Sequence, residues 1–299
     1  MALKRLLALL AVAALFLLAA CGDDDSSDDG GGSAGGSAES SEAAAVTFTT
    51  TEPSKGEVMI DAPATIDAGV VDITLDNSGK GPHDAQLVRV EGNQTAADVI
   101  AKVVDNEDGA PIPAWLRGGG GVGTVAPGQT ATVTEVLEPG TYYVVDTESS
   151  GENGPSNAKQ GGVAKFEVTG DGGGDLPETD ATITADEYSF TSEGVKPGRN
   201  RLTFANAGKE LHHIIAFPIN KGATLADATK AFASEEPPEG PPPVDFESFQ
   251  GTAVLDGGKE QVTELDLKKG KYVLVCFIAD RKGGPPHVAK GMISELDVQ

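Results

Sequence analysis

Sulfur and imidazole are scarce in this chain, whose 299 residues include two cysteines, three methionines and four histidines. Two cysteines exclude a disulfide framework, and four histidines exclude a His-rich cluster protein. Bases are also short, with 22 Lys and Arg against 46 Asp and Glu and a formal charge of −24. Phosphate binding draws on clustered Lys and Arg, so no nucleic-acid partner is expected, and anionic lipid would be repelled as well. Trp115 is the single tryptophan and reads as core packing. No Ser/His/Asp or Cys/His/Asn set suggests hydrolysis. The run from Gly118 to Gly123 imitates a phosphate-binding loop, but it lacks the strand-then-helix context and the following lysine.

The N-terminal segment begins with Lys4 and Arg5, continues through fifteen apolar residues from Leu6 to Ala20, and reaches Leu18-Ala19-Ala20-Cys21 before Gly22. Fifteen residues fall short of the roughly 20 needed to span a bilayer as a helix. A basic start, a short apolar core and small residues before the cut are what signal peptidases read. The segment resembles a bacterial lipoprotein signal with its lipobox. That resemblance implies a signal peptide over 1–20, lipid on Cys21 as the mature N-terminus, the membrane as a partner, and a place in the cell envelope facing outside the cytoplasm. Residues 21–45 are Gly- and Ser-rich, with seven acids and no base. They are expected to be a disordered tether holding the folded part about 25–30 Å from the lipid. Loss of Lys4 and Arg5 leaves 20 bases against 46 acids, a charge of −26. Such a surface would steer a basic partner towards it.

An internal repeat divides the remainder. Asn77-Ser78-Gly79-Lys80 recurs as Asn206-Ala207-Gly208-Lys209, His83 falls on His212, Thr95 on Thr224, and Val133-Thr134-Glu135 on Val262-Thr263-Glu264, all at one offset of 129. From Gly140 and Gly270 onward the offset is 130. Two copies of one fold follow, over 46–170 and 180–299, joined by a Gly-rich acidic linker at 171–179. Short alternating or β-branched runs bounded by PG, GG and NSG turns predict antiparallel strands in both. Thr95 and Thr224, each followed three residues later by Asp, predict a capped helix in each copy. The fold class is all-β: two tandem β-sandwiches, each with a short helical insertion.

The rare side chains gather near one predicted end of the second copy. An Asn206-Ala207-Gly208 turn leads to His212 and His213; Gly270-Lys271-Tyr272 leads to Cys276; and His287-Val288-Ala289-Lys290-Gly291-Met292 follows. With Cys21 assigned to lipid, Cys276 has no intramolecular disulfide partner, so it is either buried and inert or a ligand. Period-two geometry puts Tyr272, Leu274 and Cys276 on one face of their strand.

This pattern resembles the cupredoxin, or blue copper, family. The resemblance implies Greek-key cupredoxin-like sandwiches in both copies and one type 1-like copper ion in the second. Its ligands would be His212, Cys276, His287 and Met292, with His213 as the alternative to His212, and its role one-electron transfer to a redox partner. Bond-making chemistry and an enzyme are not expected, since a multicopper cluster needs further His pairs. Ten residues, Phe277 to Pro286, separate Cys276 from His287, more than in familiar blue copper sites. In the first copy Asp146, Asn157 and Gly162 stand where Cys276, His287 and Met292 do, with the same loop length, so that copy is expected to hold no copper. Taken singly, each of the four residues is ordinary core or surface. Taken in register, they favour copper over the rival reading, a metal-free binding or scaffold lipoprotein, and over a thiol-based redox protein.

Overall fold

The computed structural model describes residues 43–107, 109–151, 154–234 and 240–299. The expected signal peptide, Cys21 and nearly all of the tether lie outside the described residues. The first copy contains β1 (Ala44–Ser54), β2 (Glu57–Asp61), β3 (Thr65–Asp67), β4 (Gly69–Asn77), β5 (His83–Val90), α1 (Ala96–Val103), β6 (Leu116–Val125), β7 (Thr130–Leu137), β8 (Gly140–Val145) and β9 (Val163–Thr169). The second contains β10 (Ala181–Asp186), β11 (Ser189–Glu193), β12 (Gly198–Asn206), β13 (Ile215–Pro218), α2 (Leu225–Ala233), β14 (Gln250–Gly251), β15 (Glu260–Leu267), β16 (Gly270–Val275) and β17 (Ile293–Val298).

Alternation builds the strands. In β4, Val71, Ile73 and Leu75 point inward while Asp72 and Thr74 are only partly covered. Each helix opens on the box its sequence predicts: the Thr95 and Thr224 hydroxyls accept from the amides of Asp98 and Asp227, whose carboxylates accept in return. The tether boundary needs correction. Strand β1 begins at Ala44, because Ala44 and Ala45 pair in parallel with Val71 and Asp72 of β4; an alanine run carries no strand signal of its own.

The two copies are more intimately joined than tandem sandwiches need be. One eight-stranded sheet, ordered β11-β10-β12-β15-β7-β4-β1-β2, runs through both, beside a five-stranded sheet of the first copy and a four-stranded sheet of the second. The seam pairs the repeat-equivalent strands β7 and β15 antiparallel, Gln261 facing Glu135 and Val262 facing Thr134. This pairing covers two strand edges that would otherwise stand open. Glu135 is buried there, and burial pushes its carboxyl up to about 8 despite the Gly121 amide that donates to it.

The glycine run is part of this architecture. Gly121 has φ +107, and a Cβ on it would stand 2.0 Å from the Ala85 carbonyl; one on Gly123 would stand 2.2 Å from the Gly251 carbonyl. Glycine lets β6 lie against β5 and against the second copy.

Each copy has its own apolar core. Phe48, Ile73, Leu75, Leu87 and Phe166 fill the first, while Ile183, Leu202, Phe204, Leu265, Cys276 and Met292 fill the second. A smaller cluster packs under each helix, around Val99 and around Phe232. Among the described residues no helix is long and apolar enough to cross a membrane.

Candidate metal centre

Three segments deliver the rare side chains of the second copy to one place. The first is the turn after β12. The buried Asn206 side chain donates to the carbonyls of Glu210 and Leu255, at 2.9 and 3.0 Å, and accepts from the Gly208 amide at 3.1 Å. These bonds fold Ala207–Leu211 so that His212 enters the core. Gly208 leaves room there: a Cβ would come within 3.2 Å of His212 Nε2 and 2.7 Å of a Glu187 carboxylate oxygen.

The second segment is β16. Tyr272, Leu274 and Cys276 all face the core cluster, as period two requires, and Cys276 has no exposed surface. The third is the ten-residue loop, which is a small hairpin. The His287 amide donates to the Ile278 carbonyl at 2.8 Å, Ala279 bridges Pro286, and the Gly283 amide closes a turn on the Asp280 carbonyl. His287 then opens a 3-10 turn, His287–Lys290, which ends at Gly291 with φ +97. The Met292 amide returns to the His287 carbonyl at 2.9 Å, and Met292 is fully buried in the same cluster as Cys276.

The outcome is a compact donor set. One ligand atom each from His212, Cys276 and His287 lie within 4.8 Å of one another, and all three residues are buried. The Nδ1 atoms of His212 and His287 are 3.1 Å apart, and Cys276 Sγ lies 3.5 Å from His287 Nδ1. Donors held about 2.0–2.3 Å from a first-row ion stand at separations of this order. The Nε2 atom of His212 is buried with no hydrogen-bond partner among the described residues.

His213 faces elsewhere. Its Nε2 accepts from the Phe277 amide at 3.0 Å and its ring meets the Phe277 ring edge-on. Burial and the neighbouring imidazoles drive it down to about 3, so it stays a neutral acceptor.

The electrostatics suit a soft cation. Burial pushes the Cys276 thiol up to about 12 and His212 down to about 4. Both groups are therefore neutral at pH 7 without a counter-charge, leaving free imidazole lone pairs and a thiol that only a bound cation would ionise.

Sequence reasoning missed the residues around His287. Its Nε2 lies 3.1 Å from Oδ1 of Asp280, which also accepts from the Tyr188 hydroxyl at 3.0 Å and pairs with Lys290. The Tyr188 ring meets the imidazole edge-on at 5.3 Å, and Tyr188 holds φ 64, a left-handed backbone that a bulky residue seldom adopts. A carboxylate inside the loop, seven residues before a candidate ligand, was the available signal.

The equivalent place in the first copy is closed by an ion pair. His83 Nδ1 contacts Asp146 Oδ2, its Nε2 lies 3.2 Å from Glu52, and Asn157 Nδ2 lies 3.2 Å from both His83 Nδ1 and Asp146. Burial opposes charge on His83, yet the Asp146 and Glu52 carboxylates outweigh it and raise the imidazole above its usual value.

No protein-family model matches the sequence and no curated protein matches it. Solved structures do align. Auracyanin B is 23% identical over 42% of this chain and 93% of its own, with a TM-score of 0.26. The copper nitrite reductase from Nitrosomonas europaea is 15% identical over 86% and 94%, with a TM-score of 0.26. A multicopper oxidase is 16% identical over 85% and 88%, with a TM-score of 0.24. The fold is cupredoxin-like, two all-β copies, and the second carries a His-Cys-His donor set suited to copper. The expectation of a non-enzyme is corrected here, because these structures include an oxidase and nitrite reductases beside the auracyanins.

Proposed function

We propose that this protein is a lipid-tethered copper protein of the cell envelope that carries single electrons through one ion held by His212, Cys276, His287 and Met292. The observation that carries this reading is the convergence of one ligand atom each from His212, Cys276 and His287 within 4.8 Å, all three residues buried. A thiolate, two imidazoles and a weak thioether let copper change oxidation state with little rearrangement.

The chain's own residues do the rest. Cys276 would hold the ion as a thiolate and would release its proton to solvent in doing so. The apolar cluster around Cys276 and Met292 excludes water, and Asp280 orients His287 and strengthens it as a donor. The lipobox ending in Cys21 supports the tether, and a charge of −26 after cleavage supports a basic redox partner.

Cu(II) added to the soluble fragment should give an intense thiolate charge-transfer band that disappears in Cys276→Ser and shifts in Met292→Leu. A colourless protein with an unchanged melting temperature would support the rival, a metal-free scaffold. The first copy favours that rival to one extent: its ion pair closes the same loop without sulfur.

A further inference from the structure

Among the described residues the first copy has no such donor set of its own, yet it grips the second copy at the loop that leads to His287 and at the segment paired with His212. We propose that the first copy is a positioning platform which pre-orders those segments before metal arrives, an inference that rests on the copper reading above.

One grip falls on the hairpin between Cys276 and His287. The Ile112 amide donates to the Arg281 carbonyl and the Gly284 amide donates to the Gly109 carbonyl, both at 2.9 Å. The Arg281 guanidinium reaches back to the Leu116 carbonyl of the first copy at 3.0 Å, while Asp256 of its own copy holds it at 2.6 Å. The two backbones meet glycine to glycine. A Cβ on Gly109 would stand 2.8 Å from the Gly284 carbonyl oxygen, and one on Gly283 would stand 2.4 Å from that of Gly109. Pro111 and Pro113 flank Ile112 and restrict the backbone that offers its amide.

The other grip falls behind His212. Gly120 donates to the Val254 carbonyl at 3.1 Å and Asp256 donates to the Gly118 carbonyl at 3.0 Å. The Gln86 side chain accepts from the Val254 amide at 2.7 Å and donates to the Val254 carbonyl at 3.1 Å. Leu255, between these anchored residues, exchanges backbone bonds with His212 at 2.9 and 3.1 Å. A ladder one residue wide thus joins the glycine strand of the first copy to a ligand of the second.

The need for such grips is physical. A hairpin ending in Gly283-Gly284-Pro285-Pro286 has few side chains to pack, and its ends are all that β16 and β17 fix. Metal ligands must be held to within about 0.5 Å, by a support that does not move. The matching hairpin of the first copy is held from within, with the Thr147 amide on Asp84 and the Thr124 hydroxyl on Glu148. The second hairpin has inner ties as well, the Arg281 amide on Glu210 at 2.6 Å and Asp280 on Tyr188 and Lys290, and to these it adds the bonds from the first copy.

The test uses Gly109→Val and Ile112→Pro separately in the full chain, neither residue touching a ligand. In the metal-free protein, amide exchange across Phe277–Gly284 should speed up about fivefold or more, the loss of roughly one net hydrogen bond. Exchange in β12 should not change. After loading, both variants should keep the thiolate band but release copper to a chelator faster by a similar factor, with an altered copper EPR hyperfine splitting. Unchanged exchange of Phe277–Gly284 in Ile112→Pro, with its melting temperature preserved, overturns the proposal. Absence of any thiolate band in the parent protein would instead sink the copper reading, and the exchange comparison would still decide whether the platform exists.

Discussion

Asp280 Oδ1 and His287 Nε2 lie 3.1 Å apart at the outer edge of the site, on the side of the ring away from Cys276. A carboxylate on that nitrogen fixes the ring's orientation and makes the inner nitrogen a stronger donor, which favours the more highly charged copper ion. In Asp280→Asn, Cu(II) affinity should fall about ten- to a hundredfold by chelator competition, and the reduction potential should rise. An unchanged potential would show that Asp280 serves only to hold Lys290 and Tyr188.

The adjacent histidines should behave as opposites. His212→Gln removes a donor from the converging set and should abolish the thiolate band. His213→Gln can still accept from the Phe277 amide, so the band should persist. His213→Leu leaves that amide without its acceptor, at a cost of about 1–3 kcal/mol in stability, measured by urea unfolding.

Glu135 predicts a pH dependence. Its carboxyl is raised from 4.5 to about 8 in the folded chain, so between those values the folded protein keeps a proton that the unfolded one has lost. Stability from this group is therefore full below about pH 4.5 and falls as pH rises, by at most about 1.4 kcal/mol per pH unit, levelling off above 8. His83, also raised, loses stability in the same direction as pH climbs through its folded value. Glu135→Gln isolates the first contribution: its urea midpoint should change less between pH 5 and pH 8 than that of the parent.

The tether makes its own prediction. Expressed with its N-terminal segment, the protein should partition with membranes and carry acyl mass at Cys21; Cys21→Ala should lack that mass. A parent protein without lipid would remove the anchor and leave the copper site untouched.

Much of this was legible in the residues. Alternation marked β4 and β16, threonine boxes marked both helices, and the register of Cys276, His287 and Met292 against Asp146, Asn157 and Gly162 separated the copy with sulfur from the copy without. Other features depend on tertiary contacts that local patterns do not encode. Strand β6 is hidden by its glycines, which depress strand propensity while allowing close backbone approach. The edge-to-edge union of β7 and β15 depends on partner edges rather than on either strand's own sequence. Asp280 and Tyr188 lie 92 residues apart and meet only after folding.

The most direct test is the absorption and EPR spectrum of the soluble fragment titrated with Cu(II), parent against Cys276→Ser. The account predicts one equivalent bound by the parent with an intense thiolate charge-transfer band, and no such band in the variant. Identical spectra from the two proteins, or a parent that stays colourless, would contradict it.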